Sequence, residues 1–286
     1  MSCFARGSRG LSEPHGLAFK AYEIEELADV YFFRPLGMVL ARGALALQLT
    51  PTEVTIVAAV TGMTGGALLY DQRVAIVGFA LLIAHAVLDS SDGQLARMTG
   101  QTSELGRVLD GVSGYLTHAA IYGAIVASAF RRGIDAWTIG LALAAAAANV
   151  AHSQMYDYHR SAYIACVIDG MTRGERLHRR AMLSAYETMQ AWFAGSHRDV
   201  EAAIATRAPA GMVDEQDRAR YRDTFYRVVR GWNLLGDNTR FYAVGVLAWV
   251  HRIDVFPLVV LVPMNAAFIA LSLWQRRADR RFLAGP

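Results

Sequence analysis

Three aspartates lie within strongly apolar parts of this chain, and they limit what it can fold into more than any other feature. Asp89 and Asp92 end one apolar segment, and Asp110 lies near the start of the next. A hairpin of two helices would bring the three carboxylates together. A carboxylate near the centre of a membrane helix costs about 2.5–3.5 kcal/mol, and close carboxylates repel one another. The pattern therefore predicts a bound cation. Mg²⁺ or Mn²⁺ is favoured, because neither cysteine nor histidine lies within the motif.

Small residues accompany these aspartates and leave space on the helix faces beside them. Gly93 follows Asp92 directly, Ala96 precedes Arg97, and Gly106 lies one turn before Asp110. A ligand can approach the backbone at such positions. Arg97 follows Asp89 by two helical turns, within about 80° of it around the helix axis. Its guanidinium is suited to gripping a phosphate with two parallel hydrogen bonds.

The spacing of these residues resembles the signature of the CDP-alcohol phosphotransferase (CDP-alcohol phosphatidyltransferase) family. The matching positions are Asp89, Asp92, Gly93, Ala96, Arg97, Gly106 and Asp110. The resemblance implies that the three aspartates hold metal, that Arg97 contacts phosphate, and that Gly93, Ala96 and Gly106 make room for the nucleotide. The fourth aspartate of the family motif is replaced here by Gly114. In the family that aspartate is a metal ligand and the proposed general base, so the resemblance implies the nucleotide site more directly than ordinary catalysis.

By this resemblance the chain would transfer a phosphoalcohol group, expected to be phosphatidyl, in phospholipid biosynthesis. The donor would be CDP-diacylglycerol or another CDP-alcohol, the acceptor a hydroxyl, and the released product CMP. His118 lies four residues after Gly114, and its side chain is expected to lean back over the turn that Gly114 leaves empty. We therefore consider His118 as the base. A histidine that only packs against a neighbouring helix is the alternative.

Two other functions remain open at this stage. Without the fourth aspartate, the chain could bind a CDP-linked lipid without turning it over, as a sensor or as an assembly subunit of a lipid-synthesising complex. A transporter with ion-coupling carboxylates would also explain buried charges, but it would not explain the full spacing of the motif. Retaining three carboxylates and Arg97 in lipid would be costly if nothing bound there, which favours the enzyme.

The composition favours an integral membrane protein. Hydrophobic residues make up 54% of the 286 residues, charged residues only 19%, and the mean hydropathy is positive, whereas soluble domains carry about 25% charged residues. The net charge of +3 is small and the basic residues are scattered, so the chain is not expected to bind nucleic acid. The N-terminal residues lack the apolar core of a secretory signal. We expect a bacterial inner-membrane protein with both termini and the active site at the cytoplasmic face.

The apolar segments predict an all-α membrane protein with six transmembrane helices. An interfacial amphipathic helix would precede them, because Arg34, Pro35 and Arg42 interrupt the apolar run there; a true first span is the alternative. Thr52 is a plausible N-cap for the first span. The expected regions are an N-terminal segment with the interfacial helix (1–48), a core of spans one to four with the catalytic hairpin (49–168), a cytoplasmic helical insertion (169–235), and spans five and six with a basic tail (236–286).

The fourth span ends in an unusually polar stretch. One face of it carries His152, Tyr156, His159 and Arg160 at a helical repeat. Ionisable groups within a membrane segment are functional candidates, so this face is assigned to the acceptor pocket. The alternative is that the helix has already left the bilayer.

Two further patterns concern packing and the insertion. Gly62 and Gly66 form a face of small residues for close helix contact, and such faces are also compatible with a homodimer.

Residues 174–193 and 214–232 are expected to form amphipathic helices. Four arginines at the start of the insertion indicate the cytoplasmic side and contact with anionic lipid; they are Arg173, Arg176, Arg179 and Arg180.

Overall fold

The computed structural model describes residues 22–101, 104–131, 133, 136–180 and 194–285. These residues are all-helical: they contain no β-strand, and a single β-bridge joins Met171 to Met212. The α-helices of eight residues or more are α1 (Arg34–Ala46), α2 (Pro51–Leu68), α3 (Ala75–Thr99), α4 (Glu104–Arg131), α5 (Ala136–Tyr163), α6 (Arg173–Arg180), α7 (His197–Ala205), α8 (Glu215–Trp232), α9 (Asp237–Trp249) and α10 (Asn265–Leu283). One-turn π-helices precede α1 and α10 and follow α5.

Helix α2 begins with a capping box. The Thr50 hydroxyl accepts a hydrogen bond from the backbone N–H of Glu53 at 3.3 Å, and the Glu53 carboxylate accepts one from the backbone N–H of Thr50 at 2.7 Å. Pro51 occupies the first helical turn, where its missing N–H costs nothing. The sequence-based choice of Thr52 as the cap was wrong by two residues, because Pro51 already lies inside the helix.

Glycines let α2 pack closely against both α3 and α4. A Cβ atom at Gly62 would overlap the Thr117 side chain, and one at Gly66 would lie 2.9 Å from the Ala120 Cβ. On the α3 side, a Cβ at Gly65 would lie 2.8 Å from the Gly78 carbonyl oxygen. Real Cβ atoms do not approach other atoms this closely, so the three helices come together only because side chains are absent there. The expected packing role of Gly62 and Gly66 is confirmed.

Helix α9 packs against α3, although a long stretch of chain separates the two. The Phe241 ring lies 6.5 Å from the His85 ring on α3 and 6.3 Å from the His118 ring on α4, measured between ring centroids. At Gly245, a Cβ would meet the Phe79 ring at 2.6 Å. This packing brings the N-terminal end of α9 next to the hairpin of α3 and α4.

The segment before α1 is joined to the core by charged side chains. Glu25 is buried and pairs with Arg34 at 2.7 Å and with Arg160 of α5 at 2.8 Å. By contrast, large apolar side chains around α1 are exposed, a pattern typical of a helix that lies against lipid. They are Tyr31, Phe32, Leu36, Val39, Leu40 and Leu45.

The described part of the insertion packs on the end of α5 and on α10. The amphipathic helix expected over 214–232 is confirmed as α8, with Asp214 as its N-cap. Of the one expected over 174–193, α6 forms the first part, and residues 181–193 lie outside the described residues. Arg176 is buried and pairs with Asp169 at 2.7 Å, and the guanidinium of Arg173 lies over the Tyr158 ring. These two arginines therefore do not face lipid, contrary to expectation.

A buried hydrogen-bond network fastens the insertion to α10. His197 of α7 lies 2.7 Å from an oxygen of Asp279 and 2.8 Å from the Tyr221 hydroxyl. Ser196 donates to the other oxygen of Asp279 at 2.7 Å. Because His197 and Asp279 are each 1% exposed, removing either would leave a buried polar group unsatisfied.

Two helical stretches among the described residues are long and apolar enough to cross a membrane, judged by length and composition. They are Ala75–Thr99, which contains two of the three aspartates, and Ile253–Leu283. Helix α2 is diluted by threonine and glycine, and the ends of α4 and α5 carry polar side chains. The six-span count remains a prediction.

Candidate active site

The three aspartates converge where α3 ends and α4 begins. One carboxylate oxygen from each of Asp89, Asp92 and Asp110 can be chosen so that all three atoms lie within 4.8 Å of one another. Helix α3 ends at Gly100, whose φ of 67° is a left-handed conformation that favours glycine. The chain then returns along α4, which carries Asp110 near its start.

Asp92 is held in place from a second helix. It is 5% exposed, and its Oδ2 atom accepts a hydrogen bond of 2.5 Å from the Thr55 hydroxyl of α2. Thr55 is itself 3% exposed. A short hydrogen bond to a charged oxygen both stabilises the ionised form and fixes its direction. Asp92 is therefore oriented before any ligand arrives.

This donor set suits a hard divalent cation. Three carboxylates at this separation repel one another unless a cation or protons lie between them. The cluster supplies only oxygen atoms, the ligands that Mg²⁺ and Mn²⁺ prefer. The residues present thus fit the metal that the motif implies.

Arg97 extends from the same helix as Asp89 and Asp92, and its side chain is exposed. A Cβ at Gly93 would lie 3.5 Å from an Arg97 guanidinium nitrogen, so the side chain runs back over the glycine. Its charge interacts with Asp92 and with Arg34. Gly93 and Ala96 are on α3, and Gly106 lies one turn before Asp110 on α4. An exposed cation beside the acidic cluster is available to bind a phosphate.

Open space lies beside Gly114. A Cβ at Gly114 would meet no atom within 4 Å. His118 leans towards this turn as expected, and its Nδ1 lies 2.9 Å from the Gly114 carbonyl oxygen. The other ring nitrogen, Nε2, is buried without a hydrogen-bond partner among the described residues and lies 3.6 Å from the carboxylate of Asp237. That carboxylate also interacts electrostatically with Asp89.

His85, one turn before Asp89, has a packing role. Its Nδ1 lies 2.9 Å from the carbonyl oxygen of Ala58 on α2, and its Nε2 lies 3.5 Å from the Thr117 hydroxyl of α4. It is 4% exposed. His85 therefore packs and hydrogen-bonds between helices, as expected of a histidine whose side chain leans towards the helix N-terminus and away from the aspartates.

The four polar residues at the end of α5 contact different parts of the molecule. His152 lies 2.8 Å from the Asn265 side chain, and His159 is 1% exposed and stacks on the Trp232 ring. Tyr156 donates a hydrogen bond to Glu26 at 3.3 Å, and Arg160 bonds to the Tyr156 hydroxyl at 3.4 Å and to Glu25. The four residues share a helical face, but that face packs against three different elements.

Sequence reasoning missed Thr55 and Asp237. Both come from helices outside the motif, and each carries its polar group towards the hairpin only in the folded chain. The signal available for Thr55 was a hydroxyl in an apolar span, one turn after Pro51. For Asp237 it was an acidic residue at the first position of an apolar run. Neither signal indicates which helix is the partner.

Comparison with known proteins agrees with the motif. Residues 48–169 match the family model described as CDP-alcohol phosphatidyltransferase. Among curated proteins, the chain is similar to a phosphatidylinositol phosphate synthase of Mycobacterium marinum (strain ATCC BAA-535 / M). The two are 30% identical over 87 residues, which is 30% of this chain and 37% of that protein. The chain thus spans just over a third of the length of this relative. No solved structure matches the chain.

Proposed function

We propose that this chain, whose residues 48–169 match the CDP-alcohol phosphatidyltransferase family model, transfers a phosphatidyl group from CDP-diacylglycerol to the hydroxyl of a polar alcohol and releases CMP. The observation that carries the proposal is the convergence of Asp89, Asp92 and Asp110 within 4.8 Å. The name of the mycobacterial relative supports a phospholipid product.

The three aspartates would hold Mg²⁺ or Mn²⁺, which would neutralise the diphosphate of the donor and stabilise the departing phosphate oxygens. Arg97 would bind a phosphate oxygen, supported by its exposed guanidinium beside the cluster. Gly93, Ala96 and Gly106 would leave room for the nucleotide. Thr55 keeps Asp92 pointing at the site. His118 would accept the proton of the attacking hydroxyl at Nε2, which has no hydrogen-bond partner among the described residues.

The acceptor would approach from the side of Tyr156 and Arg160. Glu25 links Arg160 to Arg34, and the charges of Glu25 and Arg34 both act on Arg97, which supports placing this face of α5 next to the phosphate site. His152 and His159 are less suitable for binding the acceptor. His152 already contacts the Asn265 side chain, and the His159 ring stacks on Trp232. A polar alcohol, including a phosphorylated one, would suit a site that contains arginines.

The proposal includes a membrane setting. Six spans, with an interfacial helix before them, would place the acidic cluster at the cytoplasmic edge of a bacterial inner membrane, where soluble nucleotides are available. The division into regions 1–48, 49–168, 169–235 and 236–286 belongs to the same proposal, as does a homodimer. The exposed apolar side chains around α1 and the apolar stretch Ile253–Leu283 support contact with lipid.

The test is a turnover assay on the purified full chain in detergent. CDP-diacylglycerol labelled in the cytidine would be incubated with Mn²⁺ and a panel of polar alcohols that includes inositol phosphate. We expect release of labelled CMP that depends on one of the alcohols. Asp110→Asn should reduce that release by at least about 10²-fold, because one carboxylate of the metal site is lost.

Two results would contradict the enzyme. Binding of the labelled donor with no CMP release under any condition would favour a sensor or an assembly subunit. CMP release unaffected by Asp110→Asn would remove the acidic cluster from the reaction. As a matched control, Asp223→Asn changes an aspartate of α8 that lies outside the cluster and should leave turnover unchanged.

A further inference from the structure

The gap at Gly114 leaves the site without its expected fourth carboxylate, yet another carboxylate lies nearby. His118 stands between the two features: one ring nitrogen contacts the Gly114 carbonyl, and the other lies 3.6 Å from Asp237. Asp237 is the first residue of α9. It therefore reaches the site from a different helix than the motif position it would replace.

The hydrogen bond at Nδ1 determines which nitrogen of His118 can accept a proton. A backbone carbonyl oxygen can only accept a hydrogen bond, so the Nδ1 atom facing Gly114 must carry the hydrogen. In the neutral ring, Nε2 then holds the free lone pair. This nitrogen has no hydrogen-bond partner among the described residues. His118 is consequently held in the tautomer that a general base requires at Nε2.

Asp237 is suited to stabilise the charge that a base acquires. Once Nε2 takes a proton, the imidazolium would face a carboxylate oxygen at 3.6 Å. The same oxygen, Oδ1, accepts a hydrogen bond from Arg240 at 2.5 Å, which fixes the side chain. The Asp237 side chain is nevertheless 56% exposed. Because Nε2 of His118 is buried, this exposed carboxylate marks the side from which a substrate hydroxyl would approach the pair.

Helix α9 fixes the position of His118 and Asp237 relative to each other. Phe241, one turn after Asp237, stacks on the His118 ring with an interplanar angle of 15°. Asn238 donates hydrogen bonds to Glu26 at 2.8 Å and to Asp29 at 3.2 Å. Ring orientation and carboxylate position are thus set by one helix end, which is anchored to the N-terminal segment.

We infer that Asp237 replaces the fourth motif aspartate in function, as the positioning partner of His118. This inference rests on the proposed function. In the step, the proton of the acceptor hydroxyl moves to Nε2 of His118, and the oxygen forms a bond to the β-phosphorus of the donor, the phosphorus that carries the phosphatidyl group. The bond from that phosphorus to the bridging oxygen breaks, and CMP leaves with its electron pair. Asp237 faces the nitrogen that takes the proton, so it orients the imidazole through Nε2 and stabilises the imidazolium that forms.

The test combines three substitutions, Asp237→Asn, His118→Gln and Gly114→Asp, in the full chain. We expect Asp237→Asn and His118→Gln each to lower kcat by about 10²-fold with little change in KM. The double variant should be no slower than His118→Gln alone, because the two residues act as a unit. Gly114→Asp should restore most of the lost turnover in either background, since its side chain enters open space.

A second readout does not depend on turnover. Mn²⁺ affinity, measured by electron paramagnetic resonance on the donor-free protein, should stay within about twofold of wild type in Asp237→Asn and His118→Gln. Asp110→Asn should lose it. Thermal midpoints would identify any variant that fails to fold, and Asp237→Glu, which keeps the charge, should then recover part of the activity.

The outcomes separate this inference from the proposed function. Full turnover in Asp237→Asn would overturn the role of Asp237. So would a double variant whose fold-loss in kcat equals the product of the two single losses. Neither result would contradict the proposed transferase activity. Turnover that appears only after Gly114→Asp would also overturn the role of Asp237. The natural chain would then contain no residue that replaces the fourth motif aspartate. Absence of CMP release from every variant, Gly114→Asp included, would overturn the proposed function itself.

Discussion

At the level of single residues, Asp92 is the best-defined member of the acidic cluster. Its partner Thr55 donates a 2.5 Å hydrogen bond from the neighbouring helix, and both side chains are buried. The spacing of the aspartates in the sequence was enough to predict their convergence, because only a short link separates α3 from α4. Thr55 and Asp237 were missed, because pairing between distant helices leaves no fixed interval in the chain.

Replacing Thr55 by valine tests how much this orientation contributes. Thr55→Val keeps the shape of the side chain and removes the hydroxyl, so Asp92 loses the donor that directs its oxygen. We expect Mn²⁺ affinity to fall by about 10- to 100-fold, as is usual when a partner of a metal ligand is lost. The measurement is a Mn²⁺ titration of the donor-free protein.

Thr61→Val provides the control on the same helix. The Thr61 hydroxyl bonds only within α2, to the carbonyl oxygen of Val57 at 2.7 Å. Its loss should leave Mn²⁺ affinity unchanged. If both valine variants bound Mn²⁺ as well as wild type, the hydrogen bond to Asp92 would have no part in metal binding.

At the level of helices, the close contact of α2 with α3 and α4 gives the hairpin its support. The apolar segments predict helices over 52–70, 73–97 and 104–130, and the ends of α2, α3 and α4 lie within two residues of these bounds, because prolines, glycines and polar links interrupt the apolar segments there. The pairing of α9 with α3 could not be predicted. It depends on shape, such as the fit of Phe79 against Gly245, and a single sequence does not reveal which surfaces are complementary.

Gly66→Ala tests this close packing. The added Cβ would lie 2.9 Å from both the Ala120 Cβ and the Ile121 backbone nitrogen, so α2 and α4 would have to separate. Overpacking of this kind costs about 1–3 kcal/mol. We expect a lower thermal midpoint in detergent micelles.

Gly123→Ala is the matched control, because it introduces the same methyl group on α4 where no atom lies within 4 Å. Alanine is favoured over glycine inside a helix by up to about 1 kcal/mol, so this variant should be as stable as wild type or more stable. Equal midpoints for Gly66→Ala and wild type would show that the helices are less tightly packed than the structure indicates.

At the level of the whole molecule, the N-terminal segment joins parts that are distant in the chain. Glu26 accepts hydrogen bonds from Tyr156 of α5 and Asn238 of α9. Such a junction was not predictable, since an acidic patch over residues 23–29 does not reveal which helices it contacts. The all-helical class was predictable from apolar segments, and the described residues confirm it. The number of spans was harder to judge, because threonine and glycine dilute α2 and polar side chains lie at the ends of α4 and α5.

The Glu26 carboxyl gives this junction a pH dependence. Burial and the nearby Asp29 raise its pKa from 4.5 to about 7. Between these two values the folded chain binds the proton more tightly than the unfolded chain, so the contribution of Glu26 to stability falls as pH rises through this window. Glu26→Gln removes the titration. The thermal midpoint of Glu26→Gln relative to wild type should therefore be higher at pH 7.5 than at pH 5.

Glu215→Gln is the control for this comparison, because the Glu215 side chain is 84% exposed. Its midpoint relative to wild type should be the same at both pH values. If the difference in thermal midpoint between Glu26→Gln and wild type were also the same at both pH values, the pKa of Glu26 would not be raised in the folded chain.

The site combines residues from early and late parts of the polypeptide, because α9, which Asn238 attaches to the N-terminal segment, packs beside the hairpin. The residues assigned to binding the nucleotide have all been synthesised once α4 is complete, whereas Asp237, the positioning partner of the proton acceptor His118, follows later with α9. A newly synthesised chain would thus be able to bind the donor before it can turn it over. Turnover would begin only when α9 has folded against the hairpin.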